Sequence, residues 1–368
     1  MERFGNVLVK NERVYAPEDL GIKDVLIMGG KIIKIGDGLR CPLEEVSVVD
    51  ACGYTMIPGI FDGHVHVTGG GGENGFSSRV PELSAQTLYS CGVTSVLGTL
   101  GTDSLTRSVK NLLAKVKALK EEGMSAWCLT GAYNIDSPTV TGSVADDICF
   151  IDEIIGVKVA FNDHRSSQPT VNELIRLASN VRLAALTSKK AGVVHMHQGR
   201  GKDGMKLIFD ALDQSDLPVT HFRPTHCGSH IKGARKFAGR GGYVDLTAGL
   251  NADKTAERIV EFLKYIPLEQ LTMSSDGGGS MPVWNEKKEM VGMKVGTPAT
   301  LLAAVLKVSE GGELDFASAL SLIKPSDNVA PSFTNASISA FVINLTSIPS
   351  GNISLYAFIA VFTGPSYA

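Results

Sequence analysis

From residue 57 onward the chain repeats one unit: a short apolar run rich in β-branched residues, then a longer stretch with helical spacing. Eight such runs are read, at residues 60–66, 93–99, 126–132, 155–161, 192–197, 219–226, 243–248 and 271–276. Parallel strands need crossover connections, and their apolar runs demand cover on both faces. Eight strand–helix units within about 250 residues therefore predict an α/β chain whose main domain, residues 56–325, is a TIM (β/α)8 barrel. The clearest spacer runs over 104–122, where Leu105, Val109, Leu112, Val116 and Leu119 share one helical face and Gly123 supplies a stop. Ahead of it, residues 1–55 read as short strands and turns. Two β-rich runs, 24–28 and 31–35, flank Gly29 and Gly30, which predicts a hairpin. The expected small domain is β-sandwich-like and formed mainly by this N-terminal segment. Residues 326–368 form an atypical tail with no charged side chain after Asp327, expected to be poorly ordered or packed differently from the rest.

Charge and cysteine usage narrow the function classes. A formal net charge of −3 gives no field that favours nucleic acid or a membrane surface. The six cysteines include no CxxC pair, which fits free thiols in a reducing compartment better than a disulfide framework. No apolar run reaches membrane-spanning length, and the first residues lack the apolar core of a secretory signal. A cytoplasmic protein with a small-molecule substrate is expected.

The strongest local signal is Pro58-Gly-Ile-Phe-Asp62-Gly-His64-Val-His66. Histidines at i and i+2 of a strand face the same way. At the C-terminal end of a barrel strand that way is the active-site mouth, where two imidazoles can chelate one metal ion. Gly69-Gly-Gly-Gly72 follows without the Gly-Lys-Ser/Thr ending of a phosphate loop; it is expected to be a mobile loop presenting Glu73. His195 and His197 stand together at the end of another strand run, and either can ligate. His226 ends Pro-Thr-His, and Asp276 ends the eighth run before Gly277. An aspartate before glycine is usually a turn residue, but this one closes a barrel that already offers four imidazoles, which favours a ligand or base.

Lys158 lies inside the apolar run Ile154-Ile-Gly-Val-Lys-Val-Ala-Phe161. Burying an ammonium there costs about several kcal/mol without a partner, so desolvation favours the neutral amine. A neutral amine can take up carbon dioxide to form a carbamate, whose two oxygens can bridge two metal ions.

Together these segments resemble the amidohydrolase superfamily and, within it, the isoaspartyl dipeptidases (β-aspartyl peptidases). The resemblance covers roughly residues 1–325 and rests on His64-Val-His66 with the glycine run and Glu73, on Leu-Thr-Gly-Ala-Tyr133, on Lys158 with Asp-His-Arg165-Ser, on Met-His197, on Pro-Thr-His226 and on Ser-Ser-Asp276-Gly-x-Gly-Ser280. It implies a cytoplasmic homo-oligomeric hydrolase with two divalent metal ions, zinc by ligand type, and a metal-bridging hydroxide that attacks the isopeptide bond of an isoaspartyl dipeptide. The metal ligands implied are His64, His66, carboxylated Lys158, His197, His226 and Asp276. Of the two neighbouring histidines, a gapless alignment from Lys158 to His226 selects His197. Asp276 would be the catalytic base. Tyr133 would polarise the carbonyl, Glu73 would meet the substrate α-amine, Arg165 a carboxylate, and Ser280 would orient the substrate.

Two departures from the family pattern stand out. Ser229 occupies the place of an arginine that serves the family as a second carboxylate clamp, and the usual return of the C-terminal segment to the small β-domain is not found after Lys324. The rival readings are a cyclic amidase of the dihydroorotase or hydantoinase kind on the same barrel, and a non-catalytic scaffold that has lost its metals.

Overall fold

The computed structural model describes residues 6–29, 31–284, 290–326, 340–343 and 358–360. Five strands open the chain: β1 (Asn6–Tyr15), β2 (Asp19–Met28), β3 (Lys31–Gly36), β4 (Val46–Asp50) and β5 (Thr55–Pro58). They form one branched sheet, in which β1 pairs antiparallel with β2 and parallel with both β4 and β5. The hairpin forms where the two apolar runs predict it, with β2 and β3 antiparallel and Gly29 at φ 55 in its turn. Val7, Val9, Val14, Val25, Ile27 and Met56 make a separate small core.

Glu12 sits inside that sheet with no exposure, and its carboxylate oxygens have no partner beyond its own backbone. Burial pushes its carboxyl up to about 7, with Asp24 and Asp50 adding repulsion. A raised carboxyl pKa means the folded protein holds a proton that the unfolded chain releases. The associated stability is complete below about pH 4.5 and is lost as pH rises through 7. Glu12→Gln is therefore expected to raise the unfolding free energy at pH 8 by on the order of 1–3 kcal/mol, and to change little at pH 5. Denaturant titrations at the two pH values check this; an equal effect at both would contradict it.

Eight strands then alternate with helices: β6 (Ile60–Val65), β7 (Val93–Gly98), β8 (Ser125–Gly131), β9 (Ile154–Phe161), β10 (Val193–Gln198), β11 (Phe222–Thr225), β12 (Val244–Thr247) and β13 (Leu271–Ser274). Each lies within a few residues of its expected run. β6 to β11 pair in chain order in one parallel sheet, and β12 pairs parallel with β13. The chain beyond β13 docks back on β6, through Asp276 N–H to His64 O at 3.0 Å and His66 N–H to Gly277 O at 2.8 Å. Between β11 and β12 no backbone ladder is present among the described residues. There Asp245, fully buried, accepts hydroxyl hydrogen bonds from Thr225 (2.7 Å), Thr272 (2.8 Å) and Ser274 (2.6 Å), tying β11, β12 and β13 together. The result is a curled parallel sheet with TIM-like strand order. All eight residues of β9 are buried, as a strand covered on both faces requires.

The 104–122 spacer is corrected at its start. The helix runs Val109–Glu121, because the Ser108 hydroxyl accepts the Asn111 N–H and caps it there. Val109, Leu112, Val116 and Leu119 are buried as expected, whereas Leu105 precedes the cap and is 94% exposed.

A hairpin of β14 (Ser280–Trp284) and β15 (Met290–Val295) follows β13. From the tail, β16 (Ala340–Ile343) pairs antiparallel with β5, and β17 (Phe358–Ala360) pairs with β16. Two tail segments thus return to the small sheet, which the sequence pattern did not suggest: an open strand edge recruits backbone groups whatever the side chains. The remainder of the tail, residues 327–339, 344–357 and 361–368, lies outside the described residues, so its expected order is not addressed. Among the described residues no helix is long and apolar enough to cross a membrane.

Candidate metal centre and substrate site

His64 and His66 leave β6 on one face, and the docking of the segment after β13 brings Asp276 to them. His66 Nε2 lies 3.0 Å and His64 Nε2 3.5 Å from Asp276 Oδ1. The three residues offer ligand atoms all within 4.8 Å of one another. This approach depends on Gly279, where a Cβ would stand 2.5 Å from Asp276 Oδ1 and 2.8 Å from the His66 ring. Asp276 and His226 both hold left-handed backbone, φ 55 and 62, a conformation that costs roughly 1 kcal/mol or more and persists only where the surroundings impose it.

Lys158 is fully buried, with Nζ at 3.3 and 3.5 Å from the two ring nitrogens of His64. Burial lowers its amine to about 7, against the pull of Asp276 and Asp245. Burial likewise holds His64 and His195 well below the ordinary histidine range, His197 at about 4 and His226 at about 3. These imidazoles are neutral at pH 7 and keep a free lone pair. Burial alone would raise the Asp276 carboxyl, but the hydrogen bond from His66 and the charges of His226 and Lys158 bring it to about 2. The donor set fits divalent cations: neutral imidazoles beside a carboxylate, with the buried His66 Nδ1 lacking any hydrogen-bond partner.

His226 and His197 extend the cluster. Ring centroids lie 4.9 Å apart for His64 and His226, and 4.5 Å for His197 and His226. The three-residue group does not include either of them. His226 Nδ1 meets Thr247 Oγ1 at 2.5 Å, and His197 meets Asp163 Oδ2 at 3.0 Å and the Tyr133 hydroxyl at 2.9 Å.

The residues expected to hold substrate also gather. The Ser280 hydroxyl donates to both Glu73 oxygens, at 2.9 and 3.0 Å. Arg165 Nη1 reaches Glu73 at 3.3 Å, and its guanidinium stands 5.4 Å from the centre of the Tyr133 ring. The glycine run that presents Glu73 differs from the expected mobile loop. Gly69 to Gly71 are buried; Gly70 N–H bonds Gly278 O at 2.8 Å, and a Cβ on Gly69 would stand 2.0 Å from Val80 O. Close backbone packing, rather than mobility, accounts for those glycines.

Asp163 escaped sequence reasoning, and His195, one of the two histidines either of which could ligate, has a place that the sequence left open. Asp163 grips Arg165 through Nε and Nη2 at 2.9 and 2.8 Å while also meeting His197, so one carboxylate orients both a candidate ligand and a candidate substrate residue. Burial opposes its ionisation, but these bonds pull it well below the ordinary range. Its position two residues before Arg165 was the available signal. His195, level with Lys158 in the β9–β10 register, places Nε2 2.7 Å from His64 Nδ1 and so fixes which nitrogen of His64 is free. The i, i+2 spacing put His195 and His197 on one face but could not assign their depths.

No protein-family model matches the chain. Among curated relatives, a dihydroorotase from Streptococcus pyogenes is 30% identical over 133 residues, and an allantoinase from Enterococcus faecalis is 39% identical over 66. The match spans 35% of this chain and only 30% of that dihydroorotase. Among solved structures, a dihydropyrimidinase from Brevibacillus agri (15% identity, TM-score 0.59, 92% of this chain and 86% of that one) shares the fold. Far more similar is a β-aspartyl dipeptidase from Fervidobacterium islandicum in complex with β-Asp-Leu dipeptide, at 36% identity and TM-score 0.86 over 98% of this chain and 96% of that one. Similarity at that level, along almost the whole of both chains, makes this protein a member of the β-aspartyl dipeptidase family within the amidohydrolase superfamily.

Proposed function

We propose that the protein hydrolyses the isopeptide bond of isoaspartyl dipeptides at a binuclear divalent metal centre, on eight strands that close as a (β/α)8 barrel. The observation that carries this is the Glu73–Ser280–Arg165 constellation beside the histidine–aspartate cluster. A β-aspartyl residue presents both a free α-ammonium and a free α-carboxylate on the acyl side of its scissile bond. Glu73 suits the first and Arg165 the second, whereas the ring amide of a hydantoin offers no ammonium. The bound dipeptide in the related structure supports the same reading.

The ligands would be His64, His66 and Asp276 for one cation and His197 and His226 for the other, with Lys158 as a carbamate between them. Zinc suits these donors. Bound cations would supply Lewis acidity and an acidified water at neutral pH. The chain's own groups do the rest. Glu73 accepts the substrate ammonium while Ser280 holds the carboxylate in place. Arg165, gripped by Asp163, pairs with the α-carboxylate. The Tyr133 hydroxyl donates to the scissile carbonyl oxygen; burial holds its pKa well above the ordinary tyrosine value, so it keeps that proton at pH 7. Asp276 accepts a proton from the attacking water and returns it to the leaving amine.

After zinc reconstitution with bicarbonate, turnover of β-Asp-Leu is expected, with none of dihydroorotate or hydantoin, and about two metal ions per chain by elemental analysis. Ring opening without dipeptide cleavage would favour the cyclic amidase, and a protein that binds no metal would favour the scaffold.

A further inference from the structure

Glu73, Arg165 and Tyr133 occupy the loops that follow β6, β9 and β8, and Ser280 opens β14 after β13, so none of these residues comes from the segments after β10 and β11. There lies a cleft of about 380 Å³ between the loops after those two strands, floored by Met205 and Ile231 and edged by Ser229, His230 and Lys232. Its volume falls in the range of small-molecule sites. The chain and one hydrogen bond tie its lining to the candidate centre. Ser229 ends the turn Cys227–Ser229 that directly follows His226, and His230 Nε2 donates at 2.9 Å to the carbonyl of Gly199, two residues after His197. Gly233 keeps the floor in place, since a Cβ there would stand 3.0 Å from the Met205 sulfur.

The cleft's free polar groups are cationic or neutral. Among the described residues Lys232 has no carboxylate or hydrogen-bond partner, and no bond engages the Ser229 hydroxyl. Arg258, likewise unpaired, lays its side chain over Gly228, with Nη1 3.2 Å from where a Cβ would stand. Arg258 thus lies against Gly228, the residue before Ser229, and Lys232 lines the cleft itself. The adjoining cleft of about 440 Å³ differs in carrying both signs, Lys202 and Lys206 with Asp203 and Asp210.

We infer that this cleft receives the leaving residue of the substrate and selects one with an acidic side chain, Lys232 meeting its carboxylate over the apolar floor. The inference rests on the dipeptidase reading for what the leaving group is. Lys232 is exposed, so the discrimination is screened and modest, about three- to ten-fold between opposite charges.

The test compares kcat/KM for β-Asp-Glu and β-Asp-Lys in the wild type, Lys232→Glu and Lys34→Glu, the last a charge-matched change on β3. The wild type is expected to favour β-Asp-Glu, Lys232→Glu to invert the order, and Lys34→Glu to keep the wild-type ratio. One ratio shared by all three proteins would overturn the inference. If neither dipeptide is cleaved, the dipeptidase reading fails, and calorimetric titration of free L-glutamate and L-lysine into the same proteins decides the cleft on its own. Tighter glutamate binding that inverts in Lys232→Glu supports it; equal or absent binding refutes it.

Discussion

Asp276→Asn is expected to lower kcat/KM for β-Asp-Leu by about 10²–10⁴-fold while metal content stays near that of the wild type. Asparagine keeps the shape of the side chain and an oxygen that can accept from His66, now 3.0 Å from the carboxylate. Gly279 leaves room for either side chain, so neither the left-handed backbone at position 276 nor the docking of this segment on β6 is disturbed. What disappears is an oxygen able to take a proton at neutral pH. The carboxyl, held at about 2, is ionised throughout the physiological range, so the wild type always has this acceptor available. Steady-state kinetics with elemental analysis on the same preparation separates the two effects. Turnover within a few-fold of wild type would remove Asp276 as the base, and loss of metal with activity would recast it as a ligand alone.

Lys158→Met should move stability and activity in opposite directions. The amine has no exposure, and it lies within hydrogen-bonding reach of both ring nitrogens of His64. Desolvation that lowers its pKa to about 7 is equally a cost to the fold. Methionine fills a similar volume without a polar atom, so the metal-free variant is expected to be more stable by about 1–3 kcal/mol, or roughly 1–4 °C in Tm. It cannot form a carbamate, so metal binding and hydrolysis are expected to fall by at least about 10³-fold, and bicarbonate should no longer speed zinc reconstitution as it does in the wild type. Calorimetry of the metal-free proteins with zinc titration reads both arms. A variant that is less stable and still loads two metals would show a structural lysine. Residues kept at a cost to folding mark places where selection has favoured chemistry over packing.

Much of this was legible along the chain because it depends on short-range pattern. An apolar run either has the length and β-branching of a buried strand or it does not, so all eight strands and the hairpin at Gly29 emerged near their observed bounds. His64 and His66 share a face because strand side chains alternate, whatever the remainder of the fold does. Lys158 stood out since an ammonium inside an apolar strand needs a reason. Where a local hydrogen bond competed with periodicity, the pattern misled: Ser108 caps the helix one turn after Leu105, which had seemed its first apolar residue. The glycine run was read as mobile because glycine freedom is visible in sequence, but the backbone it packs against, Val80 and Gly278, is not.

The sequence on its own determined which residues could do chemistry and on which strand end each would stand, since alternation and burial are properties of neighbours in the chain. Tertiary structure alone decided which of them meet. The segment after β13 must dock on β6 before Asp276 can approach His66, 210 positions away by number, and the β9–β10 register must form before His195 comes level with Lys158 and reaches His64. Asp163 acquires its double hold on Arg165 and His197, and the cleft at Lys232 its shape, only when loops from different strands converge. Such contacts follow from how the strands are ordered and how the sheet curls, and no spacing between residues in the chain encodes either one.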